Sequence, residues 1–261
     1  MHIPTSRRAS AGFTLIELLT VIAIIGILAA IVIPTVGKVR ETAQRTVDAN
    51  NLREIAKAAS LYAADQSDRL PGNNISPTTF QPSGTAITTT PHLWAAALAR
   101  AGLLEDPTFY SSKLDAQRPQ AMPSAILDRT PTGFALNSDF AAMPLSVELV
   151  GGLRVGHAAT TPVAFTRGLQ SSGTWHGTNG VYGESGGFIA YLGGSVTFHK
   201  NLDAPGQLVA SNGQPTSNLL QALPFSASAT AQNPNPRIYA DTTTGGLGAA
   251  GGTESVAPPA L

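Results

Sequence analysis

The sequence predicts an α+β protein: one long N-terminal helix, with a small antiparallel sheet packed on its second half. Three observations predict it. Residues 13–36 are apolar almost throughout, with Glu17 the single charge. From Val36 to Gln66 the apolar residues instead recur at helical spacing. Much later, Gly187-Phe188-Ile189-Ala190-Tyr191-Leu192 and Ser195-Val196-Thr197-Phe198-His199 flank Gly193-Gly194, two β-rich runs around a two-residue glycine turn.

Residues 1–12 are a short polar and basic leader ending in Ala11-Gly12, which is set apart from the fold. The run from Phe13 to Val36 is about 24 residues, enough for a membrane-spanning helix. It is longer than the roughly 7–15 apolar residues of a secretory signal core. Arg7 and Arg8 precede it, so the positive-inside bias places the N-terminus in the cytoplasm and everything after the span on the far side. Gly26 lets a neighbouring helix approach closely. Pro34 removes a backbone donor and crowds the preceding turn, so a kink or local melting is expected over residues 30–34. A charge at the centre of a span costs about 2.5–3.5 kcal/mol, and less near one end, where Glu17 lies. Two readings of Glu17 stand on the residues alone: a carboxylate at headgroup level, or one that meets a positive partner inside a protein assembly.

Gly12-Phe13-Thr14-Leu15-Ile16-Glu17-Leu18, behind a basic leader and ahead of a full span, resembles the processing signal of type IV pilins and type II secretion pseudopilins. The resemblance implies that a prepilin peptidase cuts the Gly12–Phe13 bond on the cytoplasmic face and methylates the new N-terminal Phe13. It implies that Glu17 pairs with the N-terminal amine of a neighbouring subunit, and that Pro34 is the proline that interrupts the family's helix. A pilin-like fold follows from it. So does extraction from the inner membrane at an assembly platform, into a filament of this and other pilin-like subunits in the periplasm or at the cell surface. The close resemblance covers about the first fifth of the chain; later, only the Gly-aromatic hairpin extends it, and loosely. Some pseudopilins hold calcium in a C-terminal loop. That does not map onto named positions here, so no metal or cofactor is assigned. The chain has no cysteine, unlike the many type IV pilins that close a C-terminal loop with a disulfide, and this favours a pseudopilin.

After the span, Val36, Val39, Ala43 and Val47 make one apolar stripe, and Leu52, Ile55, Ala59 and Tyr62 a second, slightly rotated. Lys38, Arg40, Glu41, Arg45, Asp48, Arg53, Glu54 and Lys57 take other faces. The helix should end over residues 65–68, before Leu70-Pro71-Gly72. From Phe13 to Gln66 it would measure about 80 Å. No small domain buries a helix of that length, so its first half belongs in a membrane or in a bundle of like helices.

A loop over 71–90 leads to a helix opened by Thr90 and Pro91 and closed before Gly102, with Trp94, Ala97, Leu98 and Ala101 toward the core. Residues 103–131 read as irregular. Strands are expected at 133–137, 147–150 and 161–166, and one or two helical turns over 216–224. Residues 226–261 are Ala, Thr, Gly, Pro, Asn and Ser with few large apolar residues, a composition that predicts a disordered tail. Arg237-Ile238-Tyr239 is the part of it expected to dock. The chain therefore divides into a cleaved leader (1–12), a transmembrane and polymerisation helix (13–36), a globular head (37–225) and a low-complexity tail (226–261).

Basic and acidic residues balance at 16 each, and loss of Arg7 and Arg8 leaves the acidic side ahead by two. Nucleic-acid binding rests on clustered Lys and Arg, which this chain lacks. His92, His157, His176 and His199 are scattered, without metal-ligand spacing. Asp139, Asp203 and Asp241 form no EF-hand loop. Ser171–Gly177 lacks the Gly-x-Ser-x-Gly nucleophile turn and reads as a polar surface loop. Gly151-Gly152 and Gly186-Gly187 precede no helix and make no phosphate loop. The chain does not read as an enzyme. The expected function is a structural subunit of a type II secretion-like pseudopilus. The alternatives are a surface type IV pilin serving adhesion, motility or DNA uptake, and a single-span anchored protein that never polymerises.

Overall fold

The computed structural model describes residues 14–72, 90–131, 133–202, 208–229, 235–239 and 253–255. The leader, the Gly12–Phe13 junction, most of the expected 71–90 loop and much of the tail lie outside the described residues.

The first element, α1, runs unbroken from Leu15 to Asp65 with Pro34 inside it. The local melting expected over residues 30–34 does not occur. Proline removes one ladder bond, the bonds on either side persist, and the Thr35 hydroxyl adds a bond to the Val32 carbonyl (2.8 Å). At the far end the Asp68 and Gln66 N–H groups donate to the Ala63 carbonyl (2.9 and 3.0 Å), and Ser67 and Asp68 take positive φ, closing the helix where expected.

The chain forms two compact units, residues 1–43 and 44–261. In the first unit, the described residues are the opening part of α1. In the second, residues 44–65 of α1 bury Asp48, Leu52, Ile55, Ala56, Ala58, Ala59 and Ala63. The second expected stripe is thus the packed one, with Tyr62 half-buried beside it. The first is not: Val36, Val39, Ala43 and Val47 are all exposed. Going back toward the N-terminus from Leu52, the buried track steps to Asp48, four residues away, rather than to Val47. Asp48, expected on an outer face, is therefore a core residue.

The second helix, α2 (Thr90–Arg100), is buried along residues 91–99. One core-facing stripe was expected; instead α2 lies inside the core, and Ala101, expected to face inward, is exposed. Only His92 and the C-terminal Arg100 break its apolar run after Thr90, so it has no polar face to turn to water.

The strands in chain order are β1 (Leu127–Thr130), β2 (Gly133–Leu136), β3 (Val147–Gly151), β4 (Pro162–Thr166), β5 (Gly187–Tyr191), β6 (Val196–His199), β7 (Leu208–Val209), β8 (Pro215–Thr216), β9 (Arg237–Tyr239) and β10 (Thr253–Ser255). Six of them form one antiparallel sheet in the order β10-β9-β3-β4-β5-β6. β1 pairs with β2, and β7 with β8, as separate two-stranded ribbons. β1 and a 3-10 turn at Pro107–Tyr110 lie in the stretch read as irregular; both are only four residues long, too short for a periodic signal. Between β2 and β3, the short helix α3 (Ser138–Ala142) is capped by Asn137, whose side chain accepts from the Asp139 and Phe140 N–H groups (3.0 Å each). A 3-10 turn at Leu219–Ala222 occupies the place where one or two helical turns were expected. Arg237–Tyr239 docks as β9 against β3, and both it and β10 come from the stretch read as tail.

The β5–β6 hairpin is present, with a different turn. Tyr191 N–H donates to the Ser195 carbonyl (2.9 Å) and Gly194 N–H to the Tyr191 carbonyl (2.8 Å), so the loop is Leu192-Gly193-Gly194, three residues rather than two. Gly194, not Gly193, carries the positive φ, at 83°. Gly193 serves close approach: its N–H donates to the Ala159 carbonyl (2.8 Å), and a Cβ there would meet Ala159 at 3.0 Å. Trp175, in the stretch read as a surface loop, is buried, and its ring lies where a Cβ on Gly187 would go.

Candidate assembly site and the polar core of the head

The start of α1 is a capping box. Thr14 N–H and Oγ1–H both donate to Glu17 Oε2 (2.9 and 2.6 Å), and Glu17 N–H returns to Thr14 Oγ1 (3.3 Å). The Thr-x-x-Glu spacing visible in Thr14-Leu15-Ile16-Glu17 is the sequence signature of this arrangement. Glu17 thus has a local task. It satisfies a backbone donor that the first turn leaves open and sets negative charge against the positive end of the helix dipole. An ionised carboxylate offers about four acceptor positions, so capping leaves capacity for a cation from elsewhere. Gly12 and Phe13, the expected processing site, lie outside the described residues.

Beyond the cap, α1 presents apolar side chains on every side. Leu15, Ile16, Leu18, Leu19, Ile22 and Ile33 are all more than half exposed, and no residue from Thr14 to Ala43 is buried. This helix is long and apolar enough to cross a membrane, and none of its most apolar window is buried within the protein. A continuous apolar surface of this extent is unstable in water and calls for lipid or protein around it. Pro34 lies within this surface.

The head contains a polar core that the sequence did not reveal. Asp48 accepts from Ser112 Oγ–H (2.6 Å) and Tyr182 OH (2.7 Å) through Oδ2, and from Gln44 Nε2–H (3.0 Å) through Oδ1. The Ser112 N–H donates to Ser146 Oγ (2.9 Å), whose hydroxyl donates to Asp115 Oδ2 (2.6 Å). Asp115 Oδ1 pairs with Arg167 Nη2 at 2.6 Å, both side chains 1% exposed. Arg167 also donates to the Leu145 carbonyl (2.7 Å) and the Asn179 carbonyl (2.9 Å). Burial first, then the Asp48 charge and hydrogen bond, push the Tyr182 hydroxyl pKa well above its ordinary value, so it stays a donor. The Arg45 guanidinium lies 5.0 Å from the centre of the Tyr182 ring and 5.2 Å from that of Phe198. The sequence signal for Asp48 was its spacing: 48, 52, 55, 59 and 63 continue one helical track. Asp115 and Arg167 carry no local signal, since their partners lie tens of residues away.

The four described histidines each make hydrogen bonds within the head. His92 Nε2 is 2.8 Å from the Met143 carbonyl, and its ring meets Phe140 edge-on. His199 Nε2 is 3.0 Å from the Tyr191 hydroxyl. His157 Nδ1 accepts from the Arg154 N–H (3.1 Å), and burial, then the Arg154 charge, lower its pKa. His176 Nδ1 accepts from the Thr178 and Asn179 N–H groups. Among the described residues, no three His, Asp or Glu side chains gather as a metal site would require.

The family model of the prokaryotic N-terminal methylation motif matches residues 7–33. Over 59 residues the chain is 44% identical to the type II secretion system core protein G of Pseudomonas aeruginosa, covering 23% of this chain and 42% of that protein. Over 58 residues it is 48% identical to the type IV wide pilus major component of Thermus thermophilus, covering 22% of this chain and 44% of that one. The similarity is confined to about the first 60 residues. The chain spans less than half the length of these curated relatives. No solved structure matches. The prepilin-type motif is therefore present at the N-terminus, and the relatives over this segment are a pseudopilin and a type IV pilin.

Proposed function

We propose that this chain is a structural subunit of a type II secretion-like pseudopilus. In this reading a prepilin peptidase cleaves Gly12–Phe13 and methylates Phe13. The subunit waits in the inner membrane with its N-terminus cytoplasmic and its head periplasmic. An inner-membrane assembly platform then extracts it into a filament of its own and other pilin-like subunits. The exposed apolar half of α1 becomes the filament core, Glu17 meets the Phe13 amine of a neighbour, and Pro34 bends the helix to suit the packing. Domain limits follow the same scheme: leader 1–12, span 13–36, head 37–225, and a tail 226–261 that returns β9 and β10 to the head's sheet.

One observation carries this reading: residues 14–36 expose an apolar surface whose single carboxylate sits in the first turn, beside the junction where cleavage would create a cation. In a lone anchor, capping the helix would be the carboxylate's only use. A staggered bundle of processed helices adds a second, because an amine and a carboxylate removed from water together are each costly to leave alone, by about 3–5 kcal/mol. The similarity to the Thermus pilus component supports a second reading, a surface type IV pilin, with the same processing and the same use of Glu17.

The test is Glu17→Leu in the full chain, with wild type beside it. The mass of the N-terminal peptide from the membrane fraction should begin at methylated Phe13 in both. Filaments should be recovered on overexpression from wild type and lost from Glu17→Leu. A wild-type chain starting elsewhere, or wild-type filament yield from the variant, refutes the proposal. Filaments sheared from intact cells at native expression would move the reading to the surface pilus.

A further inference from the structure

On residues 44–65 the buried face of α1 is Asp48, Leu52, Ile55, Ala56, Ala58, Ala59 and Ala63. From Ala56 onward every buried position is alanine, so this half of the face nearly repeats itself. Slid by one turn, about 5.4 Å, the helix would bring Ala63 to the seat of Ala59 and Ala59 to the seat of Ile55. Small, similar side chains discriminate weakly between such placements, and on this face only Leu52 and Ile55 resist by shape; just past the helix end, the Leu70 N–H to Leu153 carbonyl bond (2.9 Å) and the Val155 N–H to Asp68 carbonyl bond (3.1 Å) tie down the segment that follows. Asp48 is different in kind. A one-turn slide either way brings Leu52 or Gln44 to its seat, and takes the carboxylate away from the Ser112 and Tyr182 hydroxyls that point at it (2.6 and 2.7 Å).

The seat is itself fixed. Ser112 Oγ accepts from the Leu114 N–H (3.1 Å), and the Ser112 N–H is tied through Ser146 to the buried Asp115–Arg167 pair. Tyr182 stands edge-on to Phe188 of β5, with ring centres 6.0 Å apart, a contact that does not travel with α1. The donors therefore cannot follow a sliding carboxylate. A buried polar residue with rigid partners on a repetitive apolar face is the arrangement by which a single side chain sets helix register.

We propose that Asp48 is the positioning residue that fixes the register of α1 in the head, with Ser112 and Tyr182 as its seat. This holds whether or not the chain polymerises.

The experiment measures register directly, in the full chain in detergent micelles. The native sequence has no cysteine, so spin labels go cleanly onto Leu61→Cys on α1 and Val209→Cys on β7, both exposed positions in the head unit. With Asp48 in place, pulsed electron-spin distances should show one narrow population. Asp48→Leu should add a second population, or shift the first, by about 5 Å, one helical turn. Asp48→Asn keeps an acceptor oxygen for Ser112 and Tyr182 and should keep the single population. If Asp48 merely adds stability, Asp48→Leu would lower the thermal midpoint while the distance stays single and unchanged, and that result overturns the proposal. Should Asp48→Leu fail to fold, the double variant Ser112→Ala with Tyr182→Phe decides. A split or displaced distance supports the register lock, and one unchanged narrow distance refutes it.

Discussion

Replacing Arg167 with methionine removes a cation from a site with almost no access to water. The side chain is 1% exposed, and its guanidinium satisfies Asp115 Oδ1 at 2.6 Å, the Leu145 carbonyl at 2.7 Å and the Asn179 carbonyl at 2.9 Å. Methionine fills much of the volume and supplies none of these donors. Asp115 would keep Ser146 Oγ–H and the Gln117 N–H as donors, and would remain a buried carboxylate without a counter-charge. Breaking a buried pair from one side costs about 3–5 kcal/mol. At roughly 2–4 °C per kcal/mol for a domain of this size, a cost near 4 kcal/mol lowers the thermal midpoint by about 8–16 °C. The assay is thermal and urea unfolding of the full chain in detergent, followed by circular dichroism. A double variant, Asp115→Leu with Arg167→Met, removes both charges and should lose less than the two single losses added together, because neither charge is then stranded. If Arg167→Met unfolds within about 1 kcal/mol of wild type, the ion pair is not holding the head together and the reasoning fails.

Two further predictions concern the β5–β6 hairpin and its surroundings. Gly194 has φ of 83° with open space where a Cβ would go, so Gly194→Val should cost about 1–2 kcal/mol from backbone strain alone, and Gly194→Asn markedly less; equal midpoints for both would place the strain elsewhere. Burial pushes the Tyr191 and Tyr239 hydroxyls up to about 12, against about 10 in an unfolded chain. Each is neutral when protonated and ionises more readily unfolded, so its contribution is fully present below pH of about 10 and is lost as pH rises through about 12. Ultraviolet tyrosinate titration alongside unfolding at each pH checks this; a midpoint near 10 for all five tyrosines with no alkaline loss of stability would contradict it.

The local parts of this fold were legible. The apolar run of α1, the turn at Gly102, strands β2 to β6 and the docking of Arg237–Tyr239 each follow from short-range pattern or composition. The misses share one cause, which is that periodicity describes a face and not what lies opposite it. Asp48 was placed outside because it is charged, although Leu52, Ile55 and Ala59 pointed to it by spacing; the deciding partners, Ser112 and Tyr182, are 64 and 134 residues away. α2 was given one buried face and has buried residues all round, because other parts of the head enclose it. The two-residue turn became a three-residue loop with the positive φ on Gly194, because Gly193 is drawn to Ala159, 34 residues earlier in the chain and outside the reach of a turn motif. At the candidate site, the Thr-x-x-Glu capping box could have been read from the sequence and was overlooked beside the longer motif that contains it.

The place of β9 has a kinetic consequence. β3 pairs on one side with β4, the next strand in the chain, and on the other with β9, about ninety residues further on. β9 and β10 are thus made well after the strands they complete. Closing so long a loop is entropically costly before its contacts form, which slows folding. Until β9 arrives, the edge of β3 stands open, with Leu149 and Val150 lacking the Tyr239 and Ile238 that later cover them. α1, made first, can settle long before the head is finished. There is an interval in every molecule's synthesis when α1 is complete and the sheet still ends in an unsealed edge at β3.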